Sequence, residues 1–101
     1  MYMDNKLTHE ALSENLNSKF QVSADDNNTV ELELAEVSEI KLHNTQEQFA
    51  IVFRGPRDSF LGQGMRSLDH EKLGHSDLFL VPIREDAEGY YYEAVFNRWR
   101  K

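Results

Sequence analysis

At 101 residues the chain has room for one domain, residues 1–101, around a single modest core. It holds no cysteine, which excludes a disulfide scaffold, a thiolate zinc site and a cysteine nucleophile, and fits a reducing, cytoplasmic setting. The net charge of −7 lies wholly in residues 1–50, and so acidic a half argues against general nucleic-acid binding.

Met1 to Lys6 contain no hydrophobic run of the kind a signal peptide needs. Leu7 to Leu12 read as a helix start. The Thr8 hydroxyl can accept an orphan backbone N–H, and Leu7 and Leu12 sit where a hydrophobic staple clamps the first turn. Leu12 and Leu16, four apart, share one face of a helix expected to end near Asn15 to Asn17.

Strand chemistry follows. Phe20-Gln21-Val22 alternates, and Asp25-Asp26-Asn27-Asn28 is a turn, because Asn and Asp bond locally to their own backbone. From Thr29 to Leu34 the alternation is strict. Val30, Leu32 and Leu34 face one way, and Glu31 and Glu33 the other, as in a half-buried strand. The parity slips at Val37 and again at Ile40 to Leu42. That predicts one or two β-bulges in a long bent strand, with a break into two strands as the alternative.

His43 to Gln48 closes a hairpin. Phe49 to Arg54 is almost continuously apolar, as a central strand covered on both faces would be. Gly55-Pro56 ends it, since proline cannot donate to a ladder. Arg57 to Gly64 is a loop, Met65 to Asp69 a short strand and Glu71 to Gly74 a turn. His75 to Ile83 is a strand, Arg84 to Gly89 a turn and Tyr90 to Asn97 the last strand. Leu78 to Ile83, the longest apolar stretch, is far short of the roughly 20 residues of a membrane helix, so no membrane partner is expected. The fold class is mainly β. About six antiparallel strands form a small curled barrel or a two-layer sandwich, with one short N-terminal α-helix over an open end or face.

Seven runs along the chain resemble a known family. They are Phe53-Arg54-Gly55-Pro56, Leu61-Gly62-Gln63-Gly64, Leu68-Asp69-His70-Glu71 with Leu73-Gly74, Leu78 to Pro82, and Tyr92 to Asn97, together with the opening Leu7-Thr8-His9-Glu10 and Val30-Glu31-Leu32-Glu33-Leu34. The family is one of small bacterial proteins known as a domain of unknown function. Its members are encoded near tail-fibre or tail-collar-like proteins of phage type. The resemblance therefore implies an assembly, chaperone or accessory role, and nothing about particular residues. His75 departs from the family's pattern, which counts against a site that needs it.

No catalytic or cofactor motif stands out. A four-residue turn at Glu71 to Gly74 would set His70 and His75 opposite each other, close enough for two imidazoles to share a metal. Asp69 would point away from His70, and Asp77 would join His75. Two histidines and one carboxylate fall short of a site, so no metal and no cofactor is expected. Ser59 and Ser67 have no histidine near them in sequence, as a catalytic serine would require.

The partner-binding candidates are Arg54 and Arg57, which flank Gly55-Pro56, and Arg98 and Trp99 in the cationic aromatic tail. The leading expectation is a non-enzymatic interaction module that binds a protein partner or self-associates. The second is small-ligand or metal binding in a barrel mouth with His70 and His75 at its lip.

Overall fold

A computed structural model describes residues 7–24 and 28–99, the Trp99 side chain excepted. Asp25, Asp26 and Asn27 of the first acidic turn, and Arg100 and Lys101 of the tail, lie outside the described residues.

The helix α1 (His9–Glu14) begins as its sequence demands: the Thr8 hydroxyl accepts the Ala11 N–H at 3.0 Å. Six residues cannot hold a helix in water unaided. Burial of Leu7 and Leu12 in the common core holds this one. The helix stops at Glu14, and Asn17 turns the chain in a left-handed conformation with φ 72°. Leu16 therefore leaves the Leu12 face that an extra turn of helix would have given it, and is exposed.

The strands are β1 (Lys19–Ser23), β2 (Thr29–Val37), β3 (Lys41–His43), β4 (Gln46–Gly55), β5 (Gly64–His70), β6 (Gly74–Asp86) and β7 (Gly89–Trp99). Their antiparallel pairings run β1–β2–β4–β7–β6–β5 and return to β1. Six strands thus close a barrel, and the sandwich alternative falls. β3 pairs with β4 outside the ring. The slipping parity after Leu34 resolves into both devices. A register shift lies between Leu34 and Glu36, and the strand breaks between Val37 and Lys41. A second shift, between Pro82 and Arg84, bends β6. Extra residues of this kind kink a strand and increase its twist, which lets six short strands meet.

In β1 and β2 the inward residues are those the alternation marks. Val30, Leu32 and Leu34 of β2 join Phe20 and Val22 of β1, Phe49, Ile51 and Phe53 of β4, Leu68 of β5, Leu80 of β6, and Tyr92 and Ala94 of β7. β4 and β5 stand on opposite sides of the ring, so their connection, residues 56–63, must cross one end of the barrel. It plugs that end with Leu61, whose N–H donates to the Tyr92 hydroxyl at 3.0 Å. There the backbones of β4 and β7 come very close, and a Cβ on Gly89 would stand 2.0 Å from the Gly55 carbonyl oxygen. α1 covers the opposite end, and His9 sets its ring edge-on to Phe49.

Two of the pairings are incomplete. β1 and β5 meet over two residue pairs, Gln21–Asp69 and Val22–Leu68. The β6–β7 ladder runs from Asp86–Gly89 to Val81–Glu93. Beyond it, among the described residues, β6 pairs with β5 alone and β7 with β4 alone, so the two strands form a fork.

Candidate functional site

The β5–β6 hairpin carries the expected histidines, and its register separates them. The turn is three residues, Glu71 to Leu73, with Gly74 left-handed at φ 77°. His70 therefore pairs with Gly74, and Asp69 with His75. The expected His70–His75 juxtaposition fails, because one residue fewer in the turn moves His75 to the other face. Asp69 does point away from His70, and Asp77 does join His75.

His75 is exposed on the barrel's outer surface. Its Nδ1 lies 2.9 Å from Asp69 and its Nε2 3.2 Å from Asp77, which also accepts the Ser67 hydroxyl at 2.8 Å. The Asp69 hydrogen bond chiefly, then the charges of Asp69 and Asp77, hold the imidazole above its usual pKa. Among the described residues, no group of three or more His, Asp and Glu side chains is arranged to hold a metal ion.

His70 lies inside, 8% exposed, with its ring 4.5 Å from that of Phe20. Its Nδ1 accepts two backbone N–H groups, from Lys72 at 3.0 Å and Leu73 at 3.1 Å. Its Nε2 lies 2.9 Å from the Ser18 hydroxyl. Burial pushes its pKa down.

A serine beside a histidine suggests a nucleophile and its base, and sequence reading missed this pair because 52 positions separate the partners. The hydrogen bonds exclude the reading. An Nδ1 that accepts two N–H groups carries no proton, so neutral His70 is protonated at Nε2 and donates to Ser18. A general base would need a lone pair there. The Ser18 hydroxyl in turn donates to the Asn15 carbonyl at 2.5 Å. The pair joins parts of the chain and does not activate an oxygen. The local signal that did exist was His-Glu-Lys-Leu-Gly: a side-chain acceptor placed before a short turn that ends in glycine.

The arginine candidates are engaged within the chain. Arg54 bridges Glu33 at 2.5 Å and Glu88 at 3.0 Å, and Lys19 adds a contact to Glu33 at 3.3 Å. Burial opposes ionisation of Glu33, but the hydrogen bonds and charges of Lys19 and Arg54 outweigh it and hold its carboxyl below the usual range. Arg57, exposed, donates to the Asp86 carbonyl. Arg98 points inward, lies over the Phe49 and Phe96 rings, and donates to the Leu7 carbonyl. The Trp99 backbone pairs with Gln46, and its side chain lies outside the described residues.

Apolar side chains remain on the outer surface. Met65 and Phe79 pair across β5 and β6, 63% and 47% exposed. Val95 of β7, 52% exposed, lies two residues past the last β6–β7 pair, as Phe79 does on β6. These side chains stand at the fork. At the loop-covered end, a cavity of about 370 Å³ is lined by Asn28, Asp58, Ser59, Phe60 and Arg66 among others. No helix among the described residues is long and apolar enough to cross a membrane.

The fold defines a small antiparallel β-barrel, six strands in the ring and one outside, plugged by a helix at one end and a crossing loop at the other. The chain belongs to the family described as Domain of unknown function (DUF6916), whose model matches residues 7–96. No curated protein and no solved structure matches it.

Proposed function

We propose that this domain is an interaction module that docks an extended segment of a partner protein at the β6–β7 fork. The observation that carries the reading is the fork itself. Two strand edges lose their shared ladder where Met65, Phe79 and Val95 leave apolar surface in water. Unpaired backbone N–H and C=O groups call for a strand, and the flanking apolar side chains give it something to bury. Such a role suits a component of a larger assembly, including the phage-tail-like kind that the sequence resemblance implies.

Site-specific photocrosslinking in the native host tests this. A benzophenone side chain at position 79 or 95 should give one discrete adduct with another protein, and the same probe at position 21, on the outer face of β1, should give none. The Phe79→Glu substitution should abolish the adduct formed from position 95. An adduct joining two copies of this chain, or none at either position, overturns the reading.

A second reading rests on the cavity at the loop-covered end, where Arg66, Asn28 and Ser59 would suit a small anion. Thermal-shift measurements with phosphate and small carboxylates test it, and a flat response removes it.

A further inference from the structure

Two parts of the chain that share no ladder at this point meet on one imidazole, and a third is joined through one of them. The turn 71–73 gives two N–H groups to His70 Nδ1. Ser18, between α1 and β1, meets Nε2. Ser18 is itself bound to β2, because its carbonyl accepts the Leu34 N–H at 3.0 Å, while the Asn17 N–H donates to the Leu34 carbonyl at 2.7 Å. His70 thus does for its turn what an Asn or Asp side chain commonly does, capping the N–H groups two and three residues on. It differs from Asn in one respect: it can take up a proton.

We infer that His70 is an acid-sensitive clasp, and that protonating it releases the turn 71–73 and the α1–β1 connection from each other and loosens the helix-covered end of the barrel. Protonation must place the new proton on Nδ1, since Nε2 already carries one. That N–H would then point at two other N–H groups in a buried site, and both acceptor bonds are lost together.

The charges around the ring do not rescue the cation. In the turn, Glu71 favours it and Lys72 opposes it, and desolvation exceeds both. Lys19 of β1, Glu31 of β2 and Asp69 of β5 line, with Gln21, Glu71 and His70 itself, a cleft of about 540 Å³. That cleft gives water a route to the ring once the turn lifts. The remaining neighbours, Ser18 and Phe20, are neutral. Opening uncovers Leu73, Phe20 and Leu12, which the closed end buries.

Amide hydrogen exchange between pH 7.5 and 5.0, corrected for the intrinsic pH dependence of exchange, tests the clasp. In the native chain, protection at Lys72, Leu73 and Leu34 should fall about tenfold relative to amides of the β4–β7 ladder. The His70→Asn variant keeps a side-chain oxygen for both turn N–H groups and cannot titrate, so its protection ratio should stay flat. Equal pH responses in the two proteins overturn the clasp, as does an equal loss across the whole barrel. Should the variant not fold, ring ¹⁵N shifts of the native protein decide. The inference requires an Nε2–H tautomer at pH 7 and a His70 midpoint that coincides with the loss of protection. A charged ring at pH 7, or the other tautomer, overturns it.

Discussion

The two ends of the barrel are closed by different means. At one end residues 56–63 cross the mouth, Leu61 plugs it, and the closure rests on a main-chain N–H given to the Tyr92 hydroxyl and on the glycine-to-glycine approach of β4 and β7. At the other end a short helix and a tight turn are fastened by side chains, and the central fastener is an imidazole. Among the described residues, the first end holds no histidine. The second has His70 inside and His75 outside, five residues apart on one hairpin, shifted in opposite directions. Closure by an apolar plug and a tyrosine hydroxyl is indifferent to pH near neutrality, and closure by an imidazole can be tuned.

Three measurements sharpen or break that contrast. The largest effect is expected at the glycine contact. Gly89→Ala puts a methyl into the Gly55 carbonyl at a φ of 151°, where an L side chain is already strained, and should cost about 3–4 kcal/mol in denaturant unfolding. A loss under about 1 kcal/mol would mean the β4–β7 approach can relax. Next comes Leu12→Ala at the helix end. Leu12 is fully buried, and truncation should cost about 2–3 kcal/mol. Native-state exchange should show the loss concentrated at the helix-covered end. Uniform loss across the barrel would erase the distinction between the ends.

The smallest effect is the pH dependence of stability, and the two histidines carry opposite signs. His70 has a lowered folded pKa, so the unfolded chain binds its proton more readily. Its contribution is complete above the unfolded value, about 6.5, and is lost as pH falls from there through the folded value. His75 has a raised folded pKa, chiefly through Asp69. Its contribution is complete below about pH 6.5 and is lost as pH rises through the folded value. The His75 pair is exposed and salt screens it. His75→Gln should therefore remove, at low salt, the gain in stability that the native chain shows as pH falls toward about 6.5, leave the loss below that pH unchanged, and change little at high salt, read from denaturant midpoints. The same pH profile above about 6.5 in variant and native chain at low salt would show that the outer pair adds nothing.

Much of the fold could be read from residue alternation. Val30, Leu32 and Leu34 turn inward as their spacing predicts, and Thr8 caps its helix. What escaped reading depended on counting single residues or on distance along the chain. A three-residue turn in place of four put His70 and His75 on opposite faces. A helix that stops at Glu14, just short of the expected Asn15 to Asn17, sent Leu16 outward. The shift at Ile83 is a local accommodation to ring closure, and ring closure has no signature in any short window. The arginines were conspicuous as charge, yet their partners, Glu33, Glu88 and the Leu7 carbonyl, lie 21 to 91 positions away. The Ser18–His70 junction was hidden for the same reason, although His70's bond to its own turn backbone is legible in five consecutive residues.

The two-pair seam between β1 and β5 bears on how the chain folds. The β5–β6 and β6–β7 hairpins and the β3–β4 hairpin are local in sequence. Joining residues 21–22 to 68–69 spans the middle of the chain and gains little pairing in return. The chain-entropy cost of that long closure is met only once the other walls stand, so the ring should shut as one of the last events. Until it does, the exposed borders of β1 and β5 are sticky, and that interval is when neighbouring chains can cross-pair.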